Sequence, residues 1–248
     1  MNNFTHIITS DFSRKAFGGV KNWWEYRLSF FEHFTLQSLK NQTNKNFYFL
    51  MNLRRCFPDR LVSELKRILD ESKLKYAIVY LDSESSFKEQ IEKYFCLSDY
   101  IYSTRIDSDD LFHKDVVQEI QSYDFAWQRA LVFQKGYCYD CINQKLQHYK
   151  VLSPPNSTIM YPKEVFLDQE KRREYMNFPQ GHDQIFSKMK SVVLSENKYV
   201  IMIHKHNRRS VFSENPKLNR ELIPKDKHSE ILKNFGIDTN TFQKVKFS

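Results

Sequence analysis

The order and spacing of apolar segments predict an α/β protein, with a mostly parallel central sheet, helices on both faces, and a smaller antiparallel region. Three observations carry this. In residues 1–110, strand-length apolar runs alternate with segments of helical periodicity. The later part has strand runs with no helix between the first of them. No Gly-, Pro- or Ser-rich linker divides the chain, so residues 1–248 are expected to form a single domain of two halves, 1–110 and 111–248.

In chain order, His6-Ile-Ile-Thr-Ser10 reads as a short buried strand. Asn22 to Asn41 reads as a helix, with Trp24, Leu28, Phe31, Phe34 and Leu39 recurring at three to five residues. Phe47 to Asn52 is a strand, and Pro58 opens a helix to Ser72, since Pro suits a first turn. Lys75 to Leu81 is a strand, and Ser86 caps a helix to Phe95. Tyr100 to Ile106 is the fourth strand, with a short helix from Lys114 to Ser122. Beyond it, Arg129 to Gln134 and Gln144 to Leu152 read as strands of a hairpin or meander. A loop at 153–158 leads into a strand through Met160. Asp183 to Met189 is helical, Tyr199 to Ile203 is a strand, and Ser229 to Phe235 is a last helix that Gly236 stops.

Composition limits the function. Hydrophobic residues make up 41% of the 248, which excludes a disordered chain. Neither G-x-G-x-x-G nor G-x-x-x-x-G-K-[ST] occurs, so any nucleotide is bound without a glycine-rich phosphate loop. The net charge is +8, and residues 163–248 carry most of it, with 17 Lys and Arg against 11 Asp and Glu. Such a segment suits a polyanionic partner, among them a diphosphate, an acidic membrane surface or nucleic acid, or is simply a soluble basic surface. No apolar run approaches the ~18 residues of a spanning helix, and Met1-Asn-Asn-Phe-Thr-His, without a basic stretch followed by an apolar one, is not expected to act as a signal peptide. A cytoplasmic location with reduced thiols is expected, with contact at a membrane periphery left open. Cys138 and Cys141 have C-x-x-C spacing without a second ligand pair, too few for structural zinc.

The residues that point to chemistry are Asp107, Asp109 and Asp110, at the carboxyl end of the fourth strand. Parallel sheets place ligands beyond such ends. Three clustered carboxylates repel one another unless a cation offsets them. Oxygen ligands with phosphate co-ligands suit Mg²⁺ or Mn²⁺. The competing reading is a helix N-terminus, where Asp complements the dipole. That serves Asp110 alone, since Asp107 and Asp109 come too early.

Trp24-Glu-Tyr-Arg27, Phe34-Thr-Leu-Gln-Ser38-Leu-Lys-Asn-Gln42-Thr, Asn46-Phe-Tyr-Phe and Thr104-Arg-Ile-Asp-Ser-Asp-Asp110 resemble a bacterial family of rhamnosyltransferases, within the GT-A glycosyltransferases. The resemblance covers about residues 5–210. It implies a GT-A, Rossmann-like fold, a nucleotide-diphosphate sugar as donor, a divalent metal, and a donor half (1–110) followed by an acceptor half (111–248). It implies that Asp107 contacts the donor ribose or the metal, that Asp109 ligates the metal, and that Arg105 lies near the donor phosphates or base. Thr9-Ser10-Asp11-Phe12 departs from the family, which tends to have an Arg-Phe-Asn-like turn there.

Further candidates depend on this reading. His204, and after it His206, are candidate metal ligands at a strand end, or members of a solvated basic loop. Arg208 and Arg209 could pair with a diphosphate or be surface charge. Asp183 is the candidate base that takes the acceptor's proton in an inverting transfer, with His182 as its neighbour, though an N-cap role would also suit it. Arg27, charged within an apolar helical stretch, reaches the donor pocket or snorkels to water. Asn156 and Tyr161 are possible substrate contacts. The expected acceptor is a hydroxyl of a glycan or polyanion. The alternative is a nucleic-acid-directed protein, a binder or a transferase on modified DNA, using basic and aromatic residues of 199–220.

Overall fold

The computed structural model describes residues 3–12, 22–83, 85–123, 129–177, 184–194, 196–207, 211–214 and 220–245. The first half consists of β1 (Phe4–Asp11), α1 (Trp23–Phe30), a π-helical turn (Phe31–Thr35), α2 (Leu36–Lys40), β2 (Tyr48–Leu53), α3 (Asp59–Ser72), β3 (Tyr76–Tyr80), α4 (Phe87–Glu92) and β4 (Tyr100–Arg105). The second half has β5 (Leu111–Phe112), α5 (Val116–Ser122), β6 (Ala130–Phe133), β7 (Lys135–Asp140), β8 (Lys145–Lys150), β9 (Ser157–Pro162), α6 (Lys163–Phe166), α7 (Gln169–Met176), α8 (Ile185–Lys188), β10 (Ser191–Leu194), β11 (Tyr199–Ile203) and α9 (Lys225–Lys233).

Seven strands form the large sheet in the order β10-β6-β9-β4-β1-β2-β3. The β3-β2-β1-β4 part is parallel, as the alternating strands and helices require. The chain runs outward from β1 to β3 and then returns to β4 on the other side of β1. The carboxyl ends of β1 and β4 therefore flank the switch point, where such sheets open a crevice. β9 joins β4 antiparallel and carries β6 and β10 beyond it. Four strands form the small sheet, β5-β11-β7-β8.

Alternation along the strands assigns the two faces of the large sheet. Ile7, Leu50, Ala77, Val79 and Ile101 pack with Ile91 of α4 and Phe166 of α6. Ile8, Phe49, Met51 and Phe133 pack with Phe31, Leu65 and Ile68, and with Tyr199 and Ile201 of the small sheet. The outer face of the small sheet, through Val200, Met202 and Leu146, packs with Phe30, Phe34 and Leu232. The helix running through the π turn is thus buried on both sides.

Two expectations are corrected. The strands at 129–134 and 144–152 do not form a hairpin: β6 belongs to the large sheet, and β8 pairs with β7, an additional strand that starts two residues after β6. The switch occurs at Gln134, whose side-chain amide donates to Leu152 O at 2.9 Å, so no glycine or proline turn marks it. The last helix starts at Lys225, a full turn earlier than Ser229, because Pro224 precedes it. Gly236 adopts φ +75° after it, as expected of a helix stop. Among the described residues no helix is long and apolar enough to cross a membrane.

Beneath the crevice His6 is wholly buried. Gln121 Nε2 donates to His6 Nδ1 at 3.2 Å, so His6 Nε2 carries the proton and donates to Thr104 Oγ1 at 2.8 Å. Thr104 Oγ1 also lies 2.7 Å from Thr158 Oγ1, a hydrogen bond that either hydroxyl can donate. This chain of bonds needs a neutral imidazole, and burial lowers the His6 pKa from 6.5 to about 3. The unfolded chain takes up a proton below pH 6.5 that the folded chain refuses until about pH 3. The His6 contribution is therefore fully present above pH 6.5 and is lost as pH falls, at up to about 1.4 kcal/mol per pH unit. We expect urea unfolding between pH 7.5 and 5 to show this slope, and His6→Gln to flatten it. Identical slopes in both proteins would assign the acid sensitivity elsewhere.

Candidate functional site

Ile106 extends β4 by one bond, its N–H donating to Thr9 O at 2.9 Å. The chain then turns: Asp110 N donates to Asp107 O at 3.0 Å, and β5 begins at Leu111. The acidic run is thus the tight turn that links the large sheet to the small one, at the switch point of the large sheet. Its four side chains leave in different directions.

Asp107 lies at the rim. Arg105 Nη2 and Nε both donate to its Oδ1, at 2.6 and 3.1 Å. Ser108 is buried and accepts from Arg27 Nη2 at 2.6 Å. Asp109 is 14% exposed, and Arg27 Nη1 lies 2.5 Å from its Oδ2. His204 Nε2 approaches the same oxygen at 3.1 Å. Burial alone would raise the Asp109 pKa, but the guanidinium and the imidazole hold it well below the usual carboxylate range.

His204 comes directly after β11, in a turn closed by Asn207. Asn207 Oδ1 accepts from His204 N, and its amide donates to Met202 O at 3.1 Å. His206 N donates to His204 Nδ1 at 3.3 Å, which puts the ring proton on Nε2, facing Asp109. Burial lowers the His204 pKa, against the pull of Asp109, and keeps the ring neutral. Phe30 and Tyr26 lie beside it, with centroids at 4.7 and 5.4 Å. His206 packs edge-on against Trp23 and Tyr26 and has no described contact with Asp107 or Asp109.

Asp110 is not a helix cap. β5 separates it from α5, whose N-terminal position is held by Asp115. It is 4% exposed and accepts from Met202 N at 3.4 Å in β11. Burial, with Asp109 and Asp107 nearby, raises its pKa well above the carboxylate range, which favours the neutral acid.

Arg27 therefore neither snorkels nor stays idle. It crosses from α1 to the turn, 12% exposed, with its guanidinium 5.6 Å from the Trp23 ring centroid. Sequence reading left Ser108, Tyr26 and Asn207 without roles. The only local signal was for Asn207, an Asn in a tight turn after a strand. Asp183, His182, Arg208 and Arg209 lie outside the described residues. Asn156 is fully buried just before β9, whose first residues pair with Val132 of β6 and Thr104 of β4. Tyr161 is a core residue against Phe166 and Tyr175, which overturns its reading as a substrate contact. Cys138, on β7, and Cys141, just past its end, are both buried, and burial pushes both thiols up, Cys138 to about 12.

A divalent ion that shares a diphosphate needs only one or two protein carboxylates. Among the described residues no group of three or more His, Cys, Asp and Glu could hold a metal by itself. Asp107 and Asp109 do fit as partial ligands, since each commits a single oxygen to its described partners.

A family described as "putative rhamnosyl transferase" matches residues 13–215. The chain belongs to this family. The sequence resemblance and the α/β fold class thus stand. Solved structures with a similar fold include residues 1–349 of S. aureus TarS in complex with UDP-GlcNAc, with a TM-score of 0.48 and 15% identity over 88% of this chain and 63% of that one. Others are the glycosyltransferase GlyE of Streptococcus pneumoniae TIGR4, at 0.40 and 12% over 78% and 45%, and a cytidylyltransferase from Leptospira borgpetersenii, at 0.42 and 11% over 80% and 78%. The chain spans less than two thirds of the TarS structures. No individually curated protein matches it.

Removing one partner of a buried pair leaves the other charge uncompensated, at about 3–5 kcal/mol. Arg27→Gln and Asp109→Asn should each lower the unfolding free energy by an amount in or just below that range. The double variant should lose clearly less than the sum, in a denaturant double-mutant cycle. Additive losses would mean that the pair is not coupled.

Proposed function

We propose that this protein is a glycosyltransferase that moves a sugar from a nucleotide-diphosphate donor to an acceptor hydroxyl, with the diphosphate lying over the turn 107–110. One observation carries the reading: two carboxylates and two guanidiniums, Asp107 with Arg105 and Asp109 with Arg27, meet on one turn at the switch point of the sheet. Guanidiniums suit phosphate oxygens, and the carboxylates suit a divalent ion.

In the proposed reaction the acceptor oxygen forms a bond to the anomeric carbon. The bond from that carbon to the diphosphate breaks, and its electron pair leaves with the nucleoside diphosphate. A base takes the hydroxyl proton, and a single displacement inverts the anomeric centre. Asp183 is the proposed base, with His182 beside it. Asp107 and Asp109, with His204 and then His206 as further candidates, are the proposed metal ligands for Mn²⁺ or Mg²⁺. When bound, the ion neutralises charge that develops on the leaving diphosphate. His204 in its present tautomer donates to Asp109 and so orients that carboxylate. Arg208 and Arg209 are proposed to meet the diphosphate.

The basic last third favours a glycan or other polyanionic acceptor. The nucleic-acid alternative loses part of its stripe: Tyr199 is fully buried, His204 is 3% exposed, the Arg220 guanidinium lies over Tyr149 at 4.4 Å, and Phe212 and His206 are half-buried. Stacking platforms for bases must be exposed.

The test is consumption of a panel of nucleotide-diphosphate sugars, a nucleotide-diphosphate rhamnose included, with Mn²⁺ or Mg²⁺. Asp107→Asn and Asp109→Asn, checked for folding by circular dichroism, should turn over at least about 100-fold more slowly. The reading fails if the wild type consumes none of the panel or if both variants match it.

A further inference from the structure

Arg27 and a divalent ion have a claim on the same carboxylate. Asp109 carries the guanidinium on Oδ2 at 2.5 Å, and the second arm of the fork is fixed on Ser108 at 2.6 Å. Arg105 neutralises Asp107 in the same way, so the accessible part of the turn already holds as many positive as negative charges. Whichever Asp109 oxygen an ion took, two cations would sit a few ångström apart on one carboxylate, where effective screening is incomplete. Only added negative charge, such as that of a diphosphate, relieves this.

Resting on the donor-site reading above, we propose that Arg27 is a resident cation that keeps a divalent metal off Asp109 until an anionic diphosphate enters. Metal and nucleotide then bind as a coupled pair, and the coupling resides in Arg27. Its position suits this role. It is carried by a helix anchored on both sides by Phe30, Phe31 and Phe34, and beside it His204 Nε2–H fills a second position on the same Asp109 oxygen, 3.4 Å from Arg27 Nη1. The guanidinium released from Asp109 has the planar fork that pairs with phosphate oxygens. Arg27 acts through Asp109 in this account and is a positioning residue.

The test uses the metal alone. Mn²⁺ binding to the wild-type chain, Arg27→Gln, Arg27→Lys and the double variant Arg27→Gln/Asp109→Asn is followed by the electron paramagnetic resonance signal of free Mn²⁺, without any nucleotide. Arg27→Gln should bind Mn²⁺ about tenfold more tightly than wild type, a coupling of ordinary size. Arg27→Lys, which keeps the charge but loses the fork, should fall between and serves if the Gln variant does not fold. The gain should vanish in the double variant. Affinity equal to wild type in the folded Gln or Lys variant overturns the proposal, as does a gain that survives Asp109→Asn. If the wild type consumes nucleotide sugars while Arg27→Gln gains no Mn²⁺ affinity, this inference fails and the transferase reading stands. If Arg27→Gln gains affinity and no sugar nucleotide is consumed, the reverse holds.

Discussion

The ion pair between Arg27 and Asp109 joins three segments that lie far apart in sequence. Arg27 comes from the first helix, Asp109 from the turn that links the sheets, and His204 from the end of β11. A pair this deeply placed is a weak source of net stability, because both charges leave water to form it. Its strength lies in what happens when it is incomplete: either charge alone would be left buried, beside Trp23 on the Arg27 side and beside His204, itself packed on Tyr26 and Phe30, on the Asp109 side. The pair therefore acts as a constraint on geometry. The helix, the turn and the β11 loop must meet in one arrangement, and the large and small sheets are held in register by the same contact that prepares the site.

The three carboxylates of the turn reach three different electrostatic solutions within four residues. Asp107 stays at the rim beside Arg105, Asp109 is buried and paired, and Asp110 is buried beneath them with a raised pKa. The third solution depends on the first two. Burial and the nearby Asp109 and Asp107 outweigh the more distant pull of Arg27, and this favours the neutral acid. Repulsion among the three, which in the sequence calls for an external cation, is thus met in part internally, by Arg105 on Asp107, by Arg27 on Asp109, and by burial that favours the neutral form of Asp110.

The parallel half was legible because each of its strands is a short apolar run separated by helical periodicity or a cap. Ser86, for example, forms the capping box that its sequence suggests, with Glu89. Asp109 and His204 were legible as chemistry-bearing residues at strand ends, although nothing local showed that they touch each other. The switch between sheets at Gln134 was not legible, because strand-forming residues lie on both sides of Gln134-Lys135-Gly136 and no proline or recognisable turn motif stands where the partner changes. Asp110 was misread for a related reason. A two-residue strand, β5, is too short to leave a pattern, so the acidic residue before it looked like the start of the next helix. Arg27 could be suspected only from the oddity of a charge in an apolar stretch, since its partner lies 82 residues away.

The π-helical turn at Phe31–Thr35 explains how one helix can serve both the site and two core clusters. A regular helix presents one apolar stripe. An extra residue in a turn rotates the later part of a helix relative to the earlier part, and such turns are frequent at functional sites. Here Phe30 and Phe34 enter the core beneath the outer face of the small sheet, whereas Phe31, Leu36 and Leu39 enter the core against the large sheet. With both flanks packed, the helix is held by close-packed aromatic rings, which tolerate little displacement. Asp109 and His204, by contrast, sit on turns of four residues held by a few hydrogen bonds. Any separation of the pair is therefore taken up by those two turns and by the Arg27 side chain, while the helix that carries it stays in place. The helix provides a fixed anchor, and the carboxylate and guanidinium that meet in front of it are the parts of the site free to respond to what binds there.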